Sequence, residues 1–206
     1  MLQKCSILRV ANVFFLEPTK HHYLIEISRK AGIAHTSVKK YLDELQESSI
    51  IIRNIEKRAS RKFPLYKANI NEKTYKQYKS MANLYLIKES GLIDFLADRL
   101  MPKSIVLFGS YNNGEDTEDS DIDLFVECTG QDLNLSKYEK ILNRKIQLHF
   151  RKHFRELPEE LKNNIINGTV LYGYLEVFED DNPRPKRQGK GQIIKKNSYN
   201  NSAKTK

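Results

Sequence analysis

The stretch whose reading decides the fold is Leu107–Glu127, LFGSYNNGEDTEDSDIDLFVE. It holds seven carboxylates, Glu115, Asp116, Glu118, Asp119, Asp121, Asp123 and Glu127, in a chain whose formal net charge is +9. Carboxylates this crowded repel one another unless a cation sits among them or water screens them. The apolar pattern sorts them. On a strand, residues i and i+2 point the same way, so Asp121 and Asp123 project together while Ile122, Leu124 and Val126 face a core. Glu115, Asp116, Glu118 and Asp119 then belong to a solvated turn, and Glu127 closes the strand.

The charge is unevenly spread along the chain. Residues 1–73 carry +7, residues 74–181 carry −6 and residues 182–206 carry +8. A basic front, an acidic middle and a basic tail point to separate jobs. A chain of 206 residues with 39% hydrophobic content is long enough to bury a core. Cys5 and Cys128 have no metal-ligand spacing and suit a reducing compartment. No apolar run approaches the roughly 20 residues of a membrane span, and MLQKCSILRV lacks the pattern of a signal peptide. A soluble, cytoplasmic protein without membrane contact is expected.

Outward from the acidic stretch, SIVLF reads as a buried strand and KIQLHF as another, with Ile146, Leu148 and Phe150 alternating against Gln147 and His149. LPEELKNNIINGTVLYGYL reads as a closing helix and its extension. Residues 74–90 and GLIDFLADRL read as helices that connect two halves. Upstream, residues 7–18 form a helical stripe that stops at Pro18, and HYLIEISRKAG a second that stops at Gly32. HTSVKKYLDELQESS is a third, with Val38, Tyr41, Leu42 and Leu45 on one face. IIIRNIE and KFPLYKAN follow as a hairpin around the basic KRASR. From about residue 180 the chain is polar and basic, too poor in apolar groups to offset ordering entropy, and is expected to be disordered.

Two helices joined by a Gly-containing turn, then a basic hairpin, resemble the winged helix-turn-helix family over roughly residues 5–70. The resemblance implies DNA binding. His35, Thr36, Ser37, Lys39 and Lys40 would form the groove-reading face of the recognition helix. Arg53, Lys57, Arg58, Arg61 and Lys62 on the wing would neutralise phosphates. The family often has a Ser or Thr helix cap where this chain has Ala34. Docking or dimerisation of proteins is the alternative use of such a module.

SIVLF, then Gly109-Ser110, ten residues, and Asp121-Ile122-Asp123-Leu124 resemble the DNA polymerase β-like nucleotidyltransferase superfamily in its minimal form, over about residues 90–176. The resemblance implies transfer of a nucleoside monophosphate from a nucleoside triphosphate, ATP by family habit, to an acceptor hydroxyl. Asp121 and Asp123 would bind Mg²⁺ or Mn²⁺, hard ions that share oxygen ligands with substrate phosphates. Gly109 permits close backbone approach, and Ser110 would open a helix that holds phosphate oxygens. The superfamily's third carboxylate falls at Gln147, a neutral amide that binds metal poorly and accepts no proton. His149 is the candidate substitute base. Asn113 stands where minimal members carry a basic residue, and Lys103 is a candidate to replace it.

Tyr111, Tyr172 and Tyr174 are read as packing residues and Cys128 as an ordinary thiol. The expected fold class is α+β: a winged helix-turn-helix over 1–72, connecting helices over 73–102, a small α/β nucleotidyltransferase domain with a mixed sheet over 103–179, and a basic tail over 180–206. A second reading is a DNA-binding regulator with a degraded nucleotide and metal site. A third is an antitoxin-like partner of a helical toxin. A protein acceptor also fits the first reading.

Overall fold

The structure, a computed structural model, describes residues 5–58 and 60–178; the basic tail expected over 180–206 lies outside the described residues. The front half begins with α1 (Ser6–Leu16), whose apolar residues Val10, Val13 and Phe14 are buried. The helix stops just before Pro18, whose ring fixes φ and cannot donate a helix hydrogen bond. β1 (His21–Tyr23) follows, then α2 (Leu24–Ala31) and α3 (His35–Glu47). Between these helices Gly32 adopts φ +61°, the left-handed cap a glycine reaches without strain. β2 (Ile51–Arg58) and β3 (Arg61–Ala68) form the hairpin, and β1 pairs with β3, so the antiparallel sheet has the order β1-β3-β2. β1 was not expected, because three residues carry too little alternation to mark a strand. Val10, Phe14, Ile27, Val38, Leu42 and Tyr66 close the core of this half.

α4 (Lys73–Ser90) and α5 (Leu92–Leu100) lead into the second half. Its sheet comprises β4 (Ser104–Phe108), β5 (Ile122–Glu127), β6 (Ile146–Arg151) and β7 (Thr169–Gly173), in the order β6-β5-β4-β7. β5 and β6 run parallel and the other pairs antiparallel, so the sheet is mixed. A parallel pair needs a crossover, and α7 (Ser136–Leu142), which sequence patterning missed, supplies its helix.

The central strands are apolar on both faces. Ile105, Leu107, Ile122, Leu124 and Val126 pack with Ile87, Leu92 and Leu96 of α4 and α5. Val106, Phe108 and Phe125 pack on the other face with Phe154, Leu157 and Ile165. Each such side chain contributes roughly 1.5–3 kcal/mol by leaving water. The expected closing helix divides in two: α8 (Glu159–Ile166) ends before Gly168, and the following TVLYG is β7, hydrogen-bonded to β4. A Cβ at Gly168 would lie 2.4 Å from the Leu107 carbonyl oxygen, so the chain turns into the sheet edge there with no room for a side chain.

Candidate active site

β4 delivers the chain to Gly109, the first residue of the short α6 (Gly109–Asn113). Gly109 has φ +75°, and a Cβ there would stand 3.0 Å from Asp123 Oδ2. The glycine thus satisfies a left-handed backbone and makes room for a carboxylate at once. Ser110 follows in α6, half-buried. Asp121 immediately precedes β5 and Asp123 lies within it, both half-buried, with the buried Ile122 and Leu124 facing the opposite way.

β6 brings up its own polar face beside them. In register, Asp123 faces Gln147 and Phe125 faces His149. The side chains reach one step back: the Gln147 amide donates to Asp121 Oδ2, and His149 Nε2 lies 3.0 Å from Asp123 Oδ1. The His149 ring stands edge-on to Phe108, with centroids 5.2 Å apart. Asp121, Asp123, Gln147 and His149 therefore form one continuous polar edge at the open end of an otherwise apolar sheet face. Among the described residues no Lys or Arg forms an ion pair with Asp121 or Asp123. The donor set of two carboxylates, an amide and an imidazole on neighbouring strands fits a divalent cation.

Of the acids expected in a solvated turn, Glu115 and Asp119 are exposed, but Asp116 and Glu118 are engaged. Asp116 is buried: its Oδ1 lies 3.1 Å from Lys79 Nζ and accepts from Asn83 Nδ2 at 2.8 Å, while Arg144 Nη2 lies 3.6 Å from Oδ2. Lys79 has no exposed side-chain surface; burial holds its ammonium below the ordinary value, with Asp116 pulling the other way. Glu127 is buried too, accepting from Ser104 Oγ at 2.9 Å and from the Phe154 amide at 3.3 Å. Glu118 is tied to the front half, accepting from the Thr19 amide and hydroxyl at 3.2 and 3.0 Å.

Lys103, a sequence candidate for the missing phosphate contact, begins β4's approach at the far end from Gly109. It pairs with Glu176 at 2.6 Å, which takes it out of that role. Instead a cleft of about 730 Å³ beside α6 is lined by Lys73 and Lys76 together with Asn112 and Asn113. Sequence reasoning missed these lysines because they lie on α4, nearly 40 residues upstream. Lys76 pairs with Glu115 at 2.6 Å. On the other side of Asp121, Lys140, Arg144 and Lys145 border a second polar cleft of about 580 Å³. Tyr111 is core, and Tyr172 and Tyr174 are exposed, so the expectation that all three pack holds for Tyr111 alone. Burial raises the Cys128 thiol.

In the front half, His35, Thr36, Ser37, Lys39 and Lys40 are exposed along the first turns of α3, and Ala34 makes no side-chain cap. Arg53, Lys57, Arg61 and Lys62 are exposed on the hairpin; of Arg58 only the backbone in β2 is described. Lys57 faces Lys62 in register. A separate cluster, Glu17, His22 and Glu26, brings ligand-type atoms within 4.8 Å of one another. Lys30 bonds both carboxylates and Lys20 lies 3.1 Å from Glu17, so two ammonium groups already balance the two acids. The cluster ties α1 to β1 and α2.

Residues 89–172 match the nucleotidyltransferase domain family. The match takes in the strand, Gly109-Ser110, both aspartates and the edge from Gln147 to His149. Over a 65-residue alignment, which covers 28% of this chain, the sequence is 46% identical to a Methanocaldococcus jannaschii protein named as a candidate protein adenylyltransferase. The chain spans 65% of the length of that relative. No solved structure matches. The nucleotidyltransferase domain thus coincides with the sheet that carries the polar edge. Among the described residues no helix is long and apolar enough to cross a membrane.

Proposed function

We propose that the nucleotidyltransferase domain transfers a nucleoside monophosphate from a nucleoside triphosphate, ATP first, to an acceptor hydroxyl, with pyrophosphate leaving. The observation that carries this reading is the pair Asp121 and Asp123 on one strand edge, with Gly109 opened toward the Asp123 carboxylate. Asp121 and Asp123 are the ligands for Mg²⁺ or Mn²⁺, which would neutralise phosphate charge and orient the reacting oxygens. Gly109 and Ser110 meet the phosphates, and Lys73 and Lys76 border the cleft where a phosphate tail gains charge-assisted contacts. His149 contributes the imidazole of the site, beside Asp123. A protein hydroxyl is the favoured acceptor class, on the strength of the name its relative carries.

The front half is read as a winged helix-turn-helix that binds DNA in the cytoplasm. The order of three helices and a three-stranded sheet, the exposed polar start of α3 and the cationic hairpin support that reading. Lys57 opposite Lys62 is a repulsive cross-strand pair that an anion relieves.

The decisive experiment incubates the protein with α-labelled ATP, divalent metal and candidate acceptor proteins, scoring label transfer and pyrophosphate. Asp123→Asn is expected to lower both by about 100-fold or more, beyond what losing a ligand's supporting partner costs. Equal labelling by wild type and Asp123→Asn would end the enzymatic reading. A second reading, a DNA-binding regulator whose site holds nucleotide and metal without turnover, is favoured by one observation. The third position is Gln147, a neutral amide engaged with Asp121. It predicts a ligand-dependent shift in DNA affinity without label transfer. The antitoxin-like reading predicts instead a helical partner that co-purifies with the chain.

A further inference from the structure

Where its family resemblance calls for a carboxylate on the strand beside Asp123, this chain presents Gln147 and His149. A nitrogen base has two uses, taking a proton or binding a metal, and the surroundings of His149 favour the second. Its Nε2 sits 3.0 Å from Asp123 Oδ1, while Asp123 Oδ2 lies against Gly109. Two ligands at right angles on an octahedral ion, each about 2.1 Å from it, also stand about 3.0 Å apart. The ring is held by its edge contact with Phe108 and by its place on β6, in register with the buried Phe125, so it needs no rearrangement to keep that position. Gln147 spends its amide N–H on Asp121, and among the described residues no ammonium or guanidinium pairs with the two carboxylates.

We infer that His149 Nε2 is the third protein ligand of the metal held by Asp121 and Asp123, and that the site prefers Mn²⁺ to Mg²⁺. The inference rests on reading the site as metal-dependent. Mg²⁺ takes oxygen ligands and keeps its water, whereas a first-row transition ion accepts imidazole nitrogen alongside carboxylate and phosphate oxygens. Mn²⁺ is the member of that series that still shares Mg²⁺'s taste for octahedral oxygen sites. The departure at the third position is then a change of metal rather than a loss of one. Proton acceptance falls to a carboxylate or to water, because a ligating Nε2 has no lone pair left to give.

The test titrates the full-length protein with MnCl₂ under electron paramagnetic resonance and records electron spin echo modulation on the bound ion. One imidazole ¹⁴N coupling is expected in wild type, and it disappears in His149→Ala. In His149→Asp, Mn²⁺ still binds without the nitrogen coupling, and the Mn²⁺-over-Mg²⁺ preference in competition falls on the order of 10-fold. Circular dichroism confirms that each variant is folded, and the wild-type spectrum decides the matter if one is not. Mn²⁺ that binds without ¹⁴N coupling and is lost in Asp123→Ala would overturn the ligand role while leaving the metal site standing. Coupling that persists in His149→Ala would put the ion on another histidine and overturn the inference. Failure of wild type to bind Mn²⁺ at all would sink both the inference and the metal-dependent reading.

Discussion

Lys79 Nζ lies 3.1 Å from Asp116 Oδ1, and both side chains are shut off from water. The pair joins α4 to the loop that runs from α6 to Asp121, with Asn83 and Arg144 as its neighbours. A buried pair is costly to break because the surviving charge has no solvent to turn to. Lys79→Met is expected to destabilise the fold by about 3–5 kcal/mol in urea unfolding. Lys76→Met removes an exposed pair with Glu115 and should cost no more than about 1 kcal/mol. Equal effects would mean that burial is not what gives Lys79 its weight.

At Gly109, φ +75° and a 3.0 Å approach to Asp123 Oδ2 both oppose a methyl group. Gly109→Ala should lower stability by about 1–2 kcal/mol through the left-handed backbone alone. Asp123 must also shift, so nucleotide-dependent labelling should fall more than stability does. A variant with intact labelling would show that the carboxylate's position is not set by this contact.

Gln147→Asp replaces a donor to Asp121 with a like charge. Without metal the protein should lose up to about 1 kcal/mol, the scale of a repulsive cross-strand pair. With divalent metal the sign reverses, since the ion gains a carboxylate ligand, and the melting temperature should rise with metal concentration more steeply than in wild type. Thermal melts in chelator and in excess metal read both halves of this expectation. A variant indifferent to metal would place the ion elsewhere.

For DNA, the hairpin cations are the measurable handle. Lys57→Ala and Lys62→Ala should each reduce the slope of log affinity against log salt by about 0.9 for duplex DNA. Substitutions at Thr36 or Ser37 should alter sequence preference while leaving that slope unchanged. Binding indifferent to salt would argue for a protein partner on this face.

The Glu17, Glu26 and Lys30 network has a pH signature. Burial alone would raise Glu17 and Glu26; hydrogen bonds from Lys30, with Lys20 at Glu17 and His22 at Glu26, outweigh it and hold both carboxyls below the ordinary 4.5. A carboxyl lowered in the folded state is protonated more readily in the unfolded one. Its stabilisation is therefore full above 4.5 and is lost as pH falls through the lowered folded value. Stability measured from pH 6 downward should drop in that window, and Lys30→Met should flatten the drop.

The strand, the glycine turn and the two aspartates were legible because their neighbours alternate apolar and polar so regularly. Ile122, Leu124 and Val126 point inward, and that alone fixes where Asp121 and Asp123 go. The burial of Asp116 was not legible. In sequence it is one acid among seven, and its partners Lys79 and Arg144 lie 37 residues before and 28 after it. β7 was not legible as a strand, because it follows the helical NNII as a mere extension and nothing local announces that Gly168 redirects the chain to β4. The pairing of His149 with Asp123 depends on the β5–β6 register, a parallel alignment set by the α7 crossover rather than by any local turn. The lysines beside α6 were hidden for the same reason: they come from a helix the sequence presents only as a connector.

Phe14 and Leu16 of α1 each lend a carbonyl oxygen to residues beyond 72, one to the Tyr75 hydroxyl at 3.0 Å and one to Arg144 at 3.2 Å, while Thr19 donates to Glu118. The boundary near residue 72 that composition suggests is thus a party wall rather than a hinge. Cutting there would strip both rooms of a side: Tyr75 would lose its acceptor, and the run into Asp121 would lose its anchor. A cut at residue 72 is therefore expected to weaken both halves rather than release two independent units.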